Sequence, residues 1–260
     1  MTEIRDDARL RDFWNRRYAK FTLSESGWNG AGEALNARIY ACKLQALRRA
    51  IAALGLSRGQ AWSVLDAGCG QGHFTRFYAA VYPKSSYVGL DISERAVSHL
   101  RQTMPGSEFH AADICEWDDP QGRTFDLIQC FEVLHLILDD DLLLRALANL
   151  ARLIAPGGAL LVTAARPDQT VHVSNYLHYR NGAFWDRAIA SLGLRVADER
   201  PMYYWLPDGG PANKYLRYAF TRLGPGALFA FDRLALAIGL PQAASAGIDS
   251  RMCLLTLKRA

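Results

Sequence analysis

The chain has 260 residues, 50% of them hydrophobic, and a formal net charge of +4 from 30 basic and 26 acidic residues. This length suits one sizeable core with additions, and because the charges are mixed along the chain they give no electrostatic case for nucleic acid. The charged residues 1–20 lack an apolar segment, and nowhere are eighteen residues continuously apolar, so neither export nor a membrane span is predicted. The five cysteines lack metal-ligand spacing, which predicts no metal, no disulfide framework and a cytoplasmic location.

Helical and strand patterns alternate along the first two thirds of the chain. A helix that carries Leu44, Leu47 and Ile51 on one face is predicted to end at Gly55, and Ser93 is predicted to cap a later helix. The predicted strands are 62–66, 86–91, 107–113, 125–130 and 159–165. Several are apolar on both faces, and together with the helices between them they predict a parallel sheet covered on both sides.

The C-terminal part has a different pattern. Segment 171–180 is predicted as a loop, and a helix containing Trp185 follows it. Segments 194–206 and 252–257 are both predicted strands, and residues 207–249 between them contain two helical patterns.

Three glycines, Gly68, Gly70 and Gly72, follow the first strand in the stretch VLDAGCGQG. Such a loop, between a strand and a helix, lets backbone N–H groups approach a ligand. A dinucleotide site requires GxGxxG, but here His73 occupies the position of the third glycine. The carboxylate of Asp66 would repel a pyrophosphate and suits a positive amine, so the loop favours a nucleoside with a cationic, phosphate-free tail.

Five motifs in order, VLDAGCGQG, YVGLDIS, AADICEW, FDLIQCFEVLHLI and LIAPGGALLV, resemble those of the class I S-adenosylmethionine-dependent methyltransferases. The resemblance covers about residues 40–165. It implies an α/β fold with a Rossmann-like, doubly wound seven-stranded sheet, mostly parallel with an antiparallel C-terminal hairpin. The expected division is an N-terminal helical lid at 1–55, a core at 56–206 and 250–260, and a helical insertion at 207–249 between the last two strands.

The resemblance also implies S-adenosyl-L-methionine as the cofactor. Its motifs assign Asp91 to the ribose hydroxyls, Ile92 to the adenine face, and Asp113 and Ile114 to the adenine amino edge and face. The residues predicted to bind the cofactor are Asp66, Gly68, Cys69, Gly70, Gly72, Asp91, Ile92, Asp113, Ile114, Cys130 and Tyr18. Asp91 also ends a strand where a carboxylate can accept hydrogen bonds from vicinal hydroxyls, and it could at the same time serve as a helix N-terminal carboxylate. Without the motifs, Asp113 is equally a solvated loop residue.

Two histidines are candidate catalytic residues. His135 follows the fourth strand, where the family motif borders the methyl group, and His178 follows the fifth; each is either a general base or a packed or solvated side chain. The residues predicted to contact the acceptor are Trp14, Trp28, Glu33, Tyr179, Tyr204 and Tyr215. Trp14 and Tyr18 share one helical face, which equally fits packing on the core, and the insertion is either a lid over the acceptor or part of the core.

The resemblance to the small-molecule branch predicts an enzyme that transfers a methyl group in line to a small acceptor. The acceptor is expected to have a large apolar or aromatic part, as in a natural product, a lipid-linked compound or a quinone-like compound. The alternatives are a protein or RNA acceptor, a dinucleotide-dependent oxidoreductase, and a non-catalytic partner protein. Association with a membrane surface and a homodimer are left open.

Overall fold

The structure is a computed structural model that describes residues 7–27, 32–174, 176–202 and 252–260. The helices in these ranges are α1 (Asp7–Arg17), α2 (Leu23–Ser26), α3 (Gly32–Ala53), α4 (His73–Val81), α5 (Glu94–Thr103), α6 (Asp140–Arg152) and α7 (Gly182–Ser191). The strands are β1 (Ser63–Ala67), β2 (Ser86–Asp91), β3 (Glu108–Ala111), β4 (Phe125–Cys130), β5 (Ile154–Ala165), β6 (Val171–Ser174), β7 (Leu177–Tyr179), β8 (Leu194–Pro201) and β9 (Met252–Arg259). A short 3-10 helix, Leu134–Leu136, follows β4.

Seven strands form one sheet in the order β3-β2-β1-β4-β5-β9-β8. The pairs from β3 to β5 are parallel, and β9 runs antiparallel to both β5 and β8. The predicted doubly wound sheet with an antiparallel C-terminal hairpin is therefore confirmed. The strand order reverses between β1 and β4, and in sheets of this kind a ligand cleft opens beyond the carboxyl ends of those strands.

The central strands are buried on both faces because alternate side chains enter two separate apolar clusters. On β1, Leu65 belongs to one cluster and Val64 to the other, and both are at most 1% exposed. Helix α5 begins as predicted, since the Ser93 hydroxyl accepts a hydrogen bond from the Ala96 amide at 3.2 Å. These contacts fix the ends of β1 and β2 at one edge of the sheet.

The loop predicted for residues 171–180 is wrong. Its first part folds into a two-stranded antiparallel hairpin of β6 and β7, in which the rings of His172 and His178 stack with centroids 3.8 Å apart. Arg180, 2% exposed, donates to Asp140 Oδ1 at 2.8 Å and to the carbonyl oxygens of Ile137 and Leu138. The hairpin is thereby tied to the segment after the 3-10 helix through contacts that are distant in sequence.

Part of the predicted C-terminal organisation lies outside the described residues. This applies to the insertion at 207–249 and to positions 203–206 of the predicted strand 194–206. The domain boundaries at 55, 207 and 249 therefore stay predictions. In the ranges that are described, no helix is both long and apolar enough to cross a bilayer.

Candidate active site

A cleft lies beyond the carboxyl ends of β1, β2 and β4, with α1 and α3 on its other side. Nine of the residues predicted to bind cofactor or acceptor line it: Trp14, Tyr18, Gly68, Cys69, Gly70, Asp91, Ile92, Asp113 and Ile114. Seven of them come from three of the five motifs and two from the N-terminal segment, so the fold brings together eight of the eleven predicted cofactor residues and one of the six predicted acceptor residues.

The glycine loop has a backbone that side chains would obstruct. Gly68 has φ +79° and Gly70 has φ +52°, both in the left-handed region. A Cβ atom on Gly68 would lie 2.2 Å from Val133 Cγ2, and one on Gly70 would lie 2.9 Å from the Tyr18 hydroxyl. The loop therefore packs directly against the turn after β4 and against α1.

Asp91 ends β2 with its carboxylate held by two backbone amides. Oδ2 accepts a hydrogen bond from Gly70 N–H at 2.8 Å, and Oδ1 accepts one from Ser93 N–H at 2.9 Å. The side chain lines the cleft although the residue is only 6% exposed. Burial raises its pKa to about 6, and the two amide hydrogen bonds oppose that shift.

Asp66 is buried near the glycine loop. Its carboxylate accepts hydrogen bonds from Thr75 Oγ1 at 2.7 Å and from Gln129 Nε2 at 3.2 Å. Burial raises the pKa of Asp66 to about 6, and the negative charge of Asp91 adds to the shift while the two hydrogen bonds reduce it. A positive ligand nearby would stabilise the ionised form of these two buried carboxylates, whose pKa values are raised.

Helix α1 covers the same region. The rings of Trp14 and Tyr18 stack with centroids 5.6 Å apart, and Tyr18 is 5% exposed. Asn15 between them accepts hydrogen bonds from Ser93 Oγ at 2.8 Å and from the Arg95 amide at 3.2 Å, which docks α1 on the N-terminus of α5. Burial, with the charge of Asp91, raises the pKa of Tyr18, so its hydroxyl stays protonated.

Three predicted cofactor residues do not line the cleft in the part of the chain that is described. The Asp66 carboxylate is instead bonded to Thr75 on α4 and Gln129 on β4. Gly72, with φ +74°, begins α4, and a Cβ atom there would lie 2.5 Å from Leu100 Cδ2. Cys130 is fully buried in the core next to β1, and burial raises the pKa of its thiol.

The two predicted catalytic histidines also lie outside the cleft lining. His135, 9% exposed, has its ring 5.8 Å from that of Tyr179, although Glu132, Val133 and Leu136 around it do line the cleft. Burial lowers the pKa of His135. His178 Nδ1 lies 3.2 Å from the Leu138 carbonyl oxygen. The 3-10 helix thus turns the His135 ring toward Tyr179 on β7, and the position of His135 beside the transferred methyl group stays a prediction.

Several predicted acceptor contacts are placed elsewhere or not described. The Glu33 carboxylate accepts hydrogen bonds from the amides of Leu23 and Ser24, at 3.0 and 2.9 Å, and so closes the start of α2. Tyr179 packs beside His135, away from the lining. Trp28, Tyr204 and Tyr215 lie outside the described residues. Of the predicted acceptor residues, the structure brings Trp14 to the cleft.

Sequence reasoning missed an ion pair in the lining. Lys43 on α3 has a side chain only 4% exposed, and its Nζ lies 3.5 Å from Glu132 Oε2, after β4. Glu132 has φ +60°, a left-handed conformation that costs a non-glycine residue about 1–2 kcal/mol. The sequence did indicate that Glu132 could line the cleft, since it follows a strand whose carboxyl end meets the glycine loop.

Among the described residues, no group of three or more His, Cys, Asp or Glu side chains is arranged to hold a metal ion. The acidic and basic groups of the cleft lining include the Asp91 and Asp113 carboxylates and the Lys43 and Glu132 pair, and the lining also contains the polar side chains of Tyr18, Ser26, Tyr40, Gln71 and His73.

Comparisons with known proteins agree with this geometry. Residues 65–160 match a family model described as a methyltransferase domain. Trans-aconitate 2-methyltransferase from Variovorax paradoxus is 34% identical over 103 residues, which is 40% of this chain and 38% of that protein. Fatty-acid O-methyltransferase from Mycolicibacterium smegmatis is 27% identical over 168 residues, which is 64% of this chain and 56% of that one. The chain thus spans 38% and 56% of the length of these two relatives.

Solved structures with the same fold include methyltransferases. An S-adenosylmethionine-dependent methyltransferase from Leishmania major has a TM-score of 0.63 at 16% identity, covering 97% of this chain and 82% of that one. The N-methyltransferase NodS from Bradyrhizobium japonicum, in complex with S-adenosyl-L-homocysteine, has a TM-score of 0.57 at 17% identity, covering 95% and 96%. At these identities the likeness shows the fold alone.

Proposed function

We propose that this chain, whose residues 65–160 match a methyltransferase domain, is an enzyme that transfers a methyl group from S-adenosyl-L-methionine to a small molecule. The observation that carries the proposal is the position of the Asp91 carboxylate. The backbone amides of Gly70 and Ser93 hold it beside a loop whose glycines have left-handed backbone conformations. A carboxylate so placed can accept two hydrogen bonds from vicinal ribose hydroxyls.

The remaining lining fits the other parts of this cofactor. Ile92 and Ile114 offer apolar surface for the adenine. Asp113 offers a carboxylate for the amino edge of the adenine, and its Oδ1 accepts a hydrogen bond from the Cys115 amide at 2.8 Å. The negative charges of Asp66 and Asp91 favour the cationic amino acid part. A pyrophosphate would be repelled by the same two charges, which argues against a dinucleotide.

The cofactor supplies a methyl group already activated on a sulfonium, so the task of the chain is to position an acceptor and keep water out. Tyr18 and Trp14 on α1 shield the glycine loop from solvent. Phe131 and Val133 after β4 form an apolar wall on the other side. His135 lies outside this wall, so we do not assign it the base.

The proposed acceptor has a large apolar or aromatic part. Trp14, Tyr40, Phe74 and Phe131 make the cleft wall strongly aromatic, which suits such a molecule. Relatives named for trans-aconitate and for fatty acids support an acceptor that is a small molecule. A protein or RNA acceptor remains the alternative outcome.

The acceptor class can be tested with methyl-labelled cofactor. The purified protein is incubated with the labelled cofactor and a cell extract of the source organism. The mixture is then separated into low-molecular-mass, protein and RNA fractions. Label is expected in the low-molecular-mass fraction, and Asp91→Asn should reduce it strongly. Label confined to protein or RNA would replace the small-molecule proposal, and the absence of label from every fraction would support a non-catalytic role.

A further inference from the structure

The turn after β4 places a charged side chain where an apolar one would be easier to accommodate. The Glu132 amide donates to Thr163 Oγ1 on β5 at 2.7 Å, and this bond holds the residue in its left-handed conformation. The Glu132 side chain, 26% exposed, faces the cleft. Backbone strain of this kind persists where surrounding contacts enforce it, and it is concentrated at functional sites.

The pair formed by Lys43 and Glu132 leaves hydrogen-bonding capacity unused. A distance of 3.5 Å between Nζ and Oε2 is long for a charge-assisted hydrogen bond. Glu132 Oε1 has no hydrogen-bond partner among the described residues, although it is buried. Lys43 Nζ also lies 5.0 Å from the Tyr40 ring centroid, a cation–π distance. A donor-rich cation and a free carboxylate oxygen thus stand side by side, facing one cleft.

The charges that act on Glu132 keep it ionised. Burial is the largest single influence and raises its pKa, but the charges of Lys43 on α3 and His135 on the 3-10 helix, together with hydrogen bonding to Lys43 and Thr163, outweigh burial, so the net pKa lies below its ordinary value. Tyr40 also faces this carboxylate, and its own pKa is raised by burial. Glu132 is therefore ionised at neutral pH, which is the form that a general base requires.

The pair is also close to where the methyl group is proposed to lie. Val133, the next residue, approaches Gly68 so closely that a Cβ atom there would meet it at 2.2 Å. The turn after β4 therefore touches the loop assigned to the amino acid part of the cofactor. An acceptor atom bound between Lys43 and Glu132 would stand beside that part.

We propose that Glu132 is the general base for a phenol-type hydroxyl acceptor, and that Lys43 stabilises the negative charge that develops on its oxygen. This inference rests on the proposed function. The hydroxyl proton passes to Glu132 Oε1 while the oxygen lone pair forms the O–CH3 bond. The S–CH3 bond breaks with its electron pair returning to sulfur, so the sulfonium charge is lost and Glu132 becomes neutral. The step needs no further reactant.

The charge balance selects a neutral hydroxyl over other acceptor groups. Lys43 is the one Lys or Arg among the described lining residues, and it is already paired with Glu132. Because the opposite charges of Lys43 and Glu132 offset each other, the pair has no net charge with which to balance a charged acceptor group. A phenol has a pKa near 10, like tyrosine, and so gives up its proton more readily than an aliphatic alcohol. The aromatic cleft wall suits the ring of a phenol. A phenol would differ from the acids for which the curated relatives are named.

The test uses two probes with the same ring, 2-naphthol and 2-naphthoate, with methyl-labelled S-adenosylmethionine. The proposal predicts transfer to naphthol at least tenfold faster than to naphthoate. The labelled product should also resist alkali, because a methyl ether is stable there and a methyl ester is not. Faster transfer to naphthoate, or an alkali-labile product, would overturn the proposal.

Two variants separate proton removal from packing. Glu132→Gln should lower transfer to naphthol by about 10²- to 10⁴-fold, the usual contribution of a general base. Its residual rate should rise about tenfold per pH unit toward the pKa of the phenol, because the acceptor must then ionise unaided. Wild-type protein should show no such slope between about pH 6 and 8. A wild-type-like rate or pH profile in Glu132→Gln would overturn the role of the base.

Lys43→Met tests the second half of the proposal and should lower the transfer rate by at least tenfold without weakening cofactor binding. Exposed counterparts serve as matched controls: Glu116→Gln, on a side chain 66% exposed, and Lys84→Met at the opposite end of the sheet should behave as wild type. Calorimetry with S-adenosylhomocysteine is run on every variant. Normal binding with no transfer to naphthol by wild-type protein would overturn this inference alone, whereas absent binding would overturn the proposed function.

Discussion

Asp91→Asn is expected to weaken the binding of S-adenosylhomocysteine by about 10- to 100-fold near neutral pH. The variant keeps the size of the side chain and one acceptor oxygen for Gly70 or Ser93, but it removes the charge. Hydrogen bonds to a charged group contribute ~1.5–3 kcal/mol, which corresponds to this range. Isothermal titration calorimetry measures the change directly.

Asp118→Asn is the matched control, because its side chain is 75% exposed and pairs with Arg152 far from the cleft. It should bind as the wild-type protein does. Equal affinities in wild type and Asp91→Asn would remove Asp91 from the ribose site. Thermal unfolding of both variants shows whether any loss of affinity reflects loss of the fold.

Lowering the pH from about 7.5 to about 5 is expected to weaken the same binding by about 10- to 100-fold. Burial raises the pKa values of Asp66 and Asp91 to about 6 in the unliganded protein, and the ionised carboxylates of Asp91 in the cleft lining and of Asp66 behind it both favour a cationic ligand. One pH unit below its pKa, each carboxylate that must lose a proton reduces affinity about tenfold. Titrations across this range measure it, with Asp91→Asn expected to show the shallower dependence.

The free energy of unfolding of the unliganded protein should, in contrast, rise as the pH falls. Both carboxyl groups have folded-state pKa values above their ordinary 3.8, so the folded state holds more protons than the unfolded state between these values. Their contribution to stability is full below about pH 4 and is lost as the pH rises through about 6.

An affinity that rises with falling pH would contradict the assignment of these carboxylates to a cationic ligand.

Local patterns predicted the sheet and the cofactor side of the cleft. The glycines at 68, 70 and 72 need left-handed backbone, and this requirement is visible in the sequence as residue type. Asp91 was predictable because the carboxyl ends of neighbouring parallel strands meet at one edge, so the ends of β1 and β2 must face the same ligand. Both inferences use only the chain within one strand–helix–strand unit.

The part of the cleft around Lys43 and Glu132 was not predictable because it depends on packing between distant segments. Lys43 stands in a helical pattern that gives no sign of burial, and it is buried because α3 crosses the turn that carries Glu132. The orientation of His135 depends on the 3-10 helix, which has too few residues to show a period. Glu33 was read as a ligand contact, although its partners are amides of α2 ten residues earlier.

Calorimetric titration of the wild-type protein with S-adenosylhomocysteine tests the central claim most directly. The Asp91 carboxylate, the left-handed glycine loop and the two negative charges predict saturable binding at one site per chain, and they predict no binding of NADH under the same conditions. Binding of NADH in place of S-adenosylhomocysteine, or no binding of either, would contradict the account.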